Sequence, residues 1–341
     1  MTLPSGKIPV DLLKQVVFKN LGARRNEVVL GPSAGIDGAV INLGNKSLIV
    51  SMDPITGALE RIGWLSVNVN ANDIATFGVE PQFMLSCIML PENADKRTVE
   101  TISVQMGQAA KKLGIAIVGG HCETTPGLTS PIVVGCVMGF TEKGNYVTAG
   151  GAQPQDTLIL TKTAGIEGTA ILATDREPQL QKTIKPLILR KAKAYFDRIS
   201  VVREATEAFK TGGVHAMHDP TEGGIIGGVT EMAEASKLGV EIHENRIPIT
   251  RETASICKHF KIDPLRLISS GALLIASDQT AAPRIIDRLK QRHVRASIIG
   301  SFVKNPKKRT LYRKSGTSDD LPKFVSDHLW IALAKNVELK R

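Results

Sequence analysis

The sequence lacks three features that would each indicate a definite class of protein: paired cysteines, a long apolar run and a secretory leader. Its four cysteines are widely scattered, so neither a disulfide framework nor a thiolate zinc site is expected. No stretch approaches the ~18 consecutive apolar residues that a membrane span requires. The N-terminal sequence has no secretory apolar core, and we therefore expect a cytoplasmic protein without a membrane partner.

Positive charge exceeds negative charge by 10 over 341 residues, and part of the excess lies in one late run from Lys304 to Lys314. Only one aromatic residue, Tyr312, interrupts this run, which favours a solvated surface over a nucleic-acid patch. Nucleic acid is therefore not an expected partner. The content of 42% hydrophobic and 22% charged residues is typical of a globular protein, and the length suits about two domains.

Strands alternate with helices in two successive halves, which predicts an α/β (α+β) fold of two domains, each a sheet covered by helices. An amphipathic helix is predicted at about Pro9–Leu21, a loop at Gly119–Gly127 and a long helical region at about Leu180–Lys210. The predicted divisions are an N-terminal helical arm at 1–27, domains at 28–150 and 151–305, and a basic linker with a tail helix at 306–341.

The segment Val67–Pro81 is mostly apolar but carries three asparagines and one acid, Asp73. Its apolar residues recur at helical spacing, and Gly78 follows as a natural C-terminal stop. Asparagine and aspartate are poor interior helix residues, because their side chains compete for nearby backbone groups. Two interpretations stay open at this point: a buried polar network tying the helix to a strand, or a carboxylate and an amide facing a metal-bound phosphate.

Further polar motifs stand at strand ends and helix starts, where function collects in α/β folds. The Gly31–Gly38 loop offers backbone amides that suit phosphate oxygens, although a plain turn also explains it. Asp37 and Asp53 are hard oxygen ligands of the type that magnesium prefers, but single acids also serve as caps or turn residues.

Two later motifs have both a structural and a functional interpretation. In Gly119–Gly127, Glu123 could bind metal or ribose, and His121 could donate to phosphate or be an ordinary loop residue. The run Asp219–Glu222 fits an N-cap, a first-turn proline and a capping box. That explanation does not cover Gly223–Gly224, which cost helix stability and allow a ligand to approach closely.

Together these motifs describe a nucleotide site without a Walker loop, and over about residues 28–305 they resemble the aminoimidazole-ribonucleotide synthetase superfamily. The markers are Gly35-x-Asp37-x-Ala39-Val40, the strand ending at Asp53, Val69–Pro81 with Asn72-Asp73, Gly119-Gly120 with Pro126-Gly127, and Asp219-Pro220-Thr221-x-Gly223-Gly224. The last marker, with Ile247-Pro248 and Asp263-Pro264-Leu265, is most similar to the hydrogenase maturation proteins called HypE.

This resemblance implies a PurM/HypE-like fold of two mixed-sheet domains, a homodimer whose N-terminal sheets pair into a barrel, and ATP and Mg²⁺ as cofactors. Members phosphorylate or activate an oxygen, typically of an amide or carbamoyl group, which a small substrate or a partner protein would present here. By analogy the magnesium ligands are Asp37, Asp53 and Asp73. The implied nucleotide-binding residues are Gly35, Asp37, Asn72, Gly119, Gly120, His121 and Glu123, and the implied catalytic turn comprises Asp219, Thr221, Gly223 and Gly224.

Three departures from the family pattern leave the reaction open. Ile36 and His121 stand where members have acids, which predicts fewer or weaker magnesium sites. The last cysteine is Cys257, so the chain is not expected to carry the carbamoylated tail cysteine of HypE. One alternative is a small-molecule kinase like thiamine-monophosphate kinase, although such kinases resemble Asp-Ile-Ser-Asp where this chain has Asp219-Pro220-Thr221. Another is a nucleotide-binding scaffold without turnover.

Overall fold

Two mixed β-sheets, one from each half of the chain, form the framework of the protein. The computed structural model describes residues 6–56, 58, 60–323 and 325–334. Within these residues the first sheet contains β1 Val28–Leu30, β2 Ala39–Leu43, β3 Lys46–Ile55, β4 Phe83–Leu90, β5 Ala116–Thr124 and β6 Ile132–Glu142. The second contains β7 Thr157–Thr161, β8 Val214–His218, β9 Gly239–His243, β10 Leu274–Ser277, β11 Ala296–Val303, β12 Arg309–Tyr312 and β13 Ser318–Asp320.

The strand order is β1-β2-β3-β6-β4-β5 in the first sheet and β13-β12-β9-β11-β7-β10-β8 in the second. One neighbouring pair in each sheet is parallel, β4 with β5 and β9 with β12, and the other described pairs are antiparallel. The turn at Gly44-Asn45 joins β2 to β3 as a hairpin, with Leu43 opposite Lys46.

Helices pack on both sheets. Their bounds are α1 Val10–Leu12, α2 Ile62–Ala75, α3 Lys96–Leu113, α4 Ile166–Asp175, α5 Glu177–Leu180, α6 Pro186–Lys193, α7 Val202–Thr211, α8 Gly224–Ala235, α9 Arg251–Phe260, α10 Ala282–Gln291 and α11 His328–Ala334. The Asn-rich segment is helical as predicted, and α3 ends at Gly114, which adopts the left-handed conformation.

The first sheet buries one face and leaves the other open. Side chains alternate between faces along a strand, and on β3 the side chain of Ile49 is buried in the core with α2 and α3, whereas that of Met52 is 64% exposed. The open face also presents Phe83, Leu85 and Phe140. An apolar sheet face of this kind is a candidate interaction surface.

The second sheet is covered on both faces. Leu158 and Leu160 of β7 belong to the main core with α4, α8 and α9, whereas Ile159 between them joins a separate cluster with α7 and α10. Each domain therefore consists of a mixed sheet with helical cover, and the predicted fold class is confirmed. The exact domain divisions stay a prediction.

Two predicted helical segments differ from the structure. The segment Pro9–Leu21 is not one amphipathic helix, because α1 passes into a π-helical turn, Leu13–Val17, and Val16, Val17 and Leu21 are exposed. The region Leu180–Lys210 is divided among α5, α6, a 3-10 turn at Ala194–Arg198 and α7. Pro186 begins α6, as expected of a proline at a first helical position.

The predicted loop at Gly119–Gly127 is also wrong over most of its length. Strand β5 continues through both glycines to Thr124 and pairs in parallel with β4. All nine of its residues are exposed, because it lies at the edge of the sheet. A solvent-exposed edge strand of glycine and polar residues has the amino-acid composition of a loop, which explains why a loop was predicted here.

Candidate functional site

The asparagines of α2 form buried hydrogen bonds to backbone groups. Asn70 accepts from the N–H of Asp53 at 2.8 Å and donates to its carbonyl at 3.1 Å. Asn72 donates to the carbonyl of Ile199 at 2.9 Å and accepts from the N–H of Val201 at 2.8 Å. These bonds favour the buried polar network over the phosphate-facing amide. Both polar atoms of Asn72 are engaged, which argues against its predicted role as a nucleotide ligand.

Four aspartates from distant parts of the chain lie in one electrostatic cluster, which we call the acid cluster. Asp37 precedes β2, Asp53 lies on β3, Asp73 lies near the end of α2 and Asp219 follows β8. The charges of the other three each raise the pKa of Asp73. Ser51 lies 2.8 Å from Asp73 Oδ2 and also contacts the carbonyl oxygen of Asp37. The fold thus gathers the three predicted magnesium ligands beside the first residue of the predicted catalytic turn.

Burial and mutual repulsion hold protons on this cluster. Burial, followed by the charge of Asp37, raises the pKa of Asp219 to about 8. Burial also raises the pKa of Asp53 to about 6, against the lowering effect of Lys7. The pKa of Asp73 is raised well above its ordinary value, first by burial and then by Asp53. A divalent cation would reverse these shifts, because it favours the charged carboxylates.

His218, the last residue of β8, connects two acids. Its Nδ1 lies 2.8 Å from Asp37 Oδ2 and its Nε2 lies 2.8 Å from Glu231 Oε2. Burial lowers the pKa of His218, but the two carboxylates outweigh it and raise the pKa to about 10. The ring is therefore an imidazolium that donates from both nitrogens. Burial opposes ionisation of Glu231, yet Lys7 and His218 lower its pKa to about 2.

The donor set of the acid cluster fits a hard divalent cation. Potential ligand atoms of Asp37, His218 and Asp219 all lie within 4.8 Å of one another. The protonated ring of His218 is not a ligand, which leaves the carboxylates. Both oxygens of Asp219 are buried without a hydrogen-bond partner among the described residues, and such orphaned oxygens are the ligands that magnesium prefers.

Lys7 is a part of the site that the sequence patterns did not reveal. Its Nζ lies 3.3 Å from Thr221 Oγ1 and 3.5 Å from Glu231 Oε1, and its backbone N–H donates to Glu222 Oε2 at 2.9 Å. The pKa of Lys7 is raised, chiefly by Glu231. More than 200 residues separate Lys7 from these partners, and no local signal in the sequence could have indicated the contact.

The turn after Asp219 is not a capping box. Helix α8 begins at Gly224 with Gly223 as its N-cap, and Asp219 makes no cap bond. A Cβ at Gly224 would lie 2.6 Å from the carbonyl oxygen of Leu267, so this glycine is required by a close backbone contact. Gly35 similarly adopts a φ of +72°, and a Cβ there would lie 2.8 Å from the carbonyl oxygen of Glu231.

The four residues predicted from the Gly119 motif lie on the exposed strand β5. His121 Nε2 is 3.2 Å from Glu123 Oε2, and Thr125 donates to Glu123 Oε1 at 2.9 Å. Thr125 and then His121 lower the pKa of Glu123, so its charge is set by residues of the same strand and its end. In the single chain these residues therefore form a surface feature that is separate from the acid cluster: Gly119, Gly120, His121 and Glu123.

The raised pKa of Asp219 predicts a pH-dependent stability. Because its pKa moves from an ordinary 3.8 to about 8, the folded protein binds this proton more strongly than the unfolded chain between these pH values. The free energy of unfolding should therefore fall as the pH rises through this window. Urea denaturation in chelator at about pH 5 and about pH 8 measures the fall, which should be smaller in Asp219→Asn. Equal pH dependence in both proteins would contradict the assignment.

Replacing Asn72 should destabilise the protein without weakening a cation site. Asn72→Ala leaves the carbonyl of Ile199 and the N–H of Val201 buried without partners, which costs about 2 to 4 kcal/mol of unfolding free energy. Chemical denaturation measures the loss, and Asn20→Ala, at an exposed site, is the control. Mg²⁺ affinity at a temperature where the variant is folded should match wild type. A selective loss of Mg²⁺ affinity in Asn72→Ala would show that Asn72 does act as a ligand in the nucleotide site.

Two family models match the chain. The AIR synthase related protein N-terminal domain matches residues 35–141 and the AIR synthase related protein C-terminal domain matches residues 153–313. No helix in the described ranges has both the length and the apolar character to span a membrane.

Known proteins are similar over nearly the same extent. A protein of Methanocaldococcus jannaschii, provisionally named a hydrogenase expression/formation protein, is 28% identical over 313 residues, which are 89% of this chain and 90% of that one. The carbamoyl dehydratase HypE of Rhizobium leguminosarum bv. viciae is 24% identical over 281 residues, 79% of this chain and 77% of the other. The solved structure of HypE in complex with ATP matches with a TM-score of 0.71 at 20% identity, covering 97% of this chain and 98% of that one. The predicted superfamily is confirmed: the chain belongs to the AIR synthase related protein family.

Proposed function

We propose that this protein is a HypE-like, ATP-dependent enzyme that binds ATP with Mg²⁺ at the acid cluster and phosphorylates an oxygen of a small amide- or carbamoyl-type substrate. The observation that carries this proposal is Asp219, a buried carboxylate without a partner among the described residues, beside three other aspartates. The ATP complex of the HypE structure supports the nucleotide. The carbamoyl dehydratase name of the Rhizobium leguminosarum relative supports the substrate class.

The aspartates have different roles in this proposal. Asp37, Asp53 and Asp219 hold the cation, and Asp73 lies behind them with its carboxylate fixed by Ser51. Bound magnesium would supply positive charge to the phosphates, which is the principal electrostatic requirement of phosphoryl transfer. Asp37 is in turn oriented by the imidazolium of His218, which limits the repulsion among the acids.

The turn after β8 presents the reacting groups. Thr221 and the backbone of Gly223 and Gly224 lie directly after Asp219, so a substrate oxygen bound there would lie next to the phosphate that it attacks. The left-handed conformations of both glycines, with φ of +82° and +61°, bring this backbone close to the loop at Leu265–Leu267. The turn is thereby fixed before a substrate arrives.

The open face of the first sheet fits a homodimer. Met52, Phe83, Leu85 and Phe140 form an apolar surface next to the exposed edge strand β5, and a second copy of the chain would bury it as two packed sheets. Gly119, Gly120, His121 and Glu123 would then lie at the subunit boundary, where they become available to the nucleotide site of the assembled dimer. This arrangement reconciles their predicted role with their distant place in one chain.

One observation favours a second candidate, a nucleotide-binding scaffold without turnover. The positively charged side chains of Lys7 and His218 already lie beside the acid cluster. Ile36, at a position where family members have an acid, packs against the hydrophobic core. A scaffold would bind ATP and release no ADP with any amide or carbamoyl substrate. An enzyme would release ADP in a substrate-dependent manner, which coupled ADP detection measures.

Removing the charge of Asp219 should abolish magnesium-dependent nucleotide binding. Asp219→Asn keeps the side-chain volume but loses a cation ligand, so we expect ATP affinity in Mg²⁺ to fall by at least about 10-fold. Isothermal titration calorimetry measures the affinity. The matched control is Asp287→Asn, because Asp287 is an exposed acid of α10. Unchanged ATP affinity in Asp219→Asn would refute the assignment of the acid cluster.

A charge on the open sheet face should dissociate the homodimer. Leu85, which is 41% exposed, would be buried between two copies, so Leu85→Lys should convert a dimer to a monomer in analytical ultracentrifugation. Val104→Lys is the control, because Val104 is a 56% exposed apolar residue of α3, which covers the opposite face. A monomeric wild type, or a dimeric Leu85→Lys, would exclude this interface.

A further inference from the structure

The N-terminal segment Gly6–Lys7 is anchored beside the catalytic turn through its backbone. The Lys7 N–H donates to Glu222 Oε2 at 2.9 Å. A Cβ on Gly6 would lie 2.7 Å from the same carboxylate oxygen and 3.1 Å from Trp330 Nε1. The segment therefore fits between the turn and helix α11, and the φ of +96° at Gly6 favours glycine there. This anchor is independent of the Lys7 side chain.

The Lys7 ammonium is held in the site but not saturated. Its contacts to Thr221 and Glu231, at 3.3 and 3.5 Å, are longer than the about 2.7 to 2.9 Å of a strong charge-assisted bond. Of its three donors, two have partners within the described ranges. The side chain is 49% exposed, so the ammonium is partly open to solvent rather than buried in the protein core.

The charge of Lys7 acts on two aspartates of the acid cluster and on the neighbouring Glu231. It lowers the pKa of Asp53, of Asp219 and of Glu231. A cation that enters among these carboxylates would take over that neutralisation. The ammonium would then remain beside Thr221 with unsatisfied donors, at the position where the transferred phosphate is proposed to lie.

We propose that Lys7 is a phosphate-binding residue, supplied by the N-terminal segment, that contacts the terminal phosphate of the bound nucleotide. The inference rests on the proposed function and adds to it a ligand outside the family's sequence motifs. A compact ammonium on a flexible stem is suited to this role as a point charge. The alternative is that Lys7 only neutralises the carboxylates in place of a cation and leaves when the cation binds.

Binding measurements on the full-length protein separate these alternatives. The probes are Mg²⁺ alone, ATP with Mg²⁺, and inorganic tripolyphosphate with Mg²⁺, each by titration calorimetry. We expect Lys7→Ala to weaken binding of both polyphosphates by about 10- to 100-fold. Lys7→Arg should retain most of the polyphosphate affinity. Mg²⁺ alone should bind to Lys7→Ala at least as well as to wild type. The control is Lys19→Ala, at an exposed lysine that follows the π-helical turn, and it should match wild type throughout.

Two results would overturn the inference. Wild-type polyphosphate affinity in Lys7→Ala, together with tighter binding of Mg²⁺ alone, would show that Lys7 merely occupies the place of the cation. A wild type that binds neither polyphosphate would refute the proposed function, and the Lys7 inference with it, before any variant is compared. Thermal unfolding accompanies each titration, and Lys7→Met, which keeps the apolar stem, replaces Lys7→Ala should alanine lower the melting temperature.

Discussion

The repulsion among buried carboxylates is the constraint on which the rest of the site depends. Asp53, Asp73 and Asp219 all have raised pKa values because they are desolvated and face one another. A fold tolerates such a cluster only when the surrounding structure fixes it. Here the fixing contacts are specific: Ser51 bonds to Asp73, Asn70 holds the backbone of Asp53, and His218 places a positive charge against Asp37. The acid cluster therefore lowers the free energy of unfolding, and the apolar side chains buried in the two hydrophobic cores offset this loss.

The site exists only where the two halves of the chain meet. The first half supplies Asp37, Asp53 and Asp73, whereas His218, Asp219 and Glu231 come from the second. Two contacts hold the halves in register. The Asn72 amide bonds to the backbone at 199 and 201, and Gly35 allows its loop to approach the backbone of Glu231. Asn70 and Asn72 of α2 thus support the site through hydrogen bonds to backbone groups.

Local patterns predicted local structure well and long-range contacts poorly. Helix α2 follows from its helical periodicity and the glycine stop after it, because neighbours in the chain determine it. The capping box at Asp219 failed because tertiary burial of its carboxylate overrode a locally satisfactory arrangement. The part of strand β5 from Gly119 to Thr124 was predicted as a loop, because these exposed residues show no apolar alternation. The aspartate cluster was predicted from the family resemblance. Neither the local patterns nor the resemblance indicated that Lys7 belongs to the site, since its partners lie more than 200 residues away.

The charge balance of the site links cation binding to protons. With its pKa raised to about 8, Asp219 is largely protonated at neutral pH without a cation, and burial followed by Asp53 raises the pKa of Asp73 in the same direction. Lys7 and His218 then compensate Glu231 and Asp37, and Asp53, with a pKa of about 6, adds a negative charge. A divalent cation can bind carboxylates only after they lose their protons, so its entry must release them.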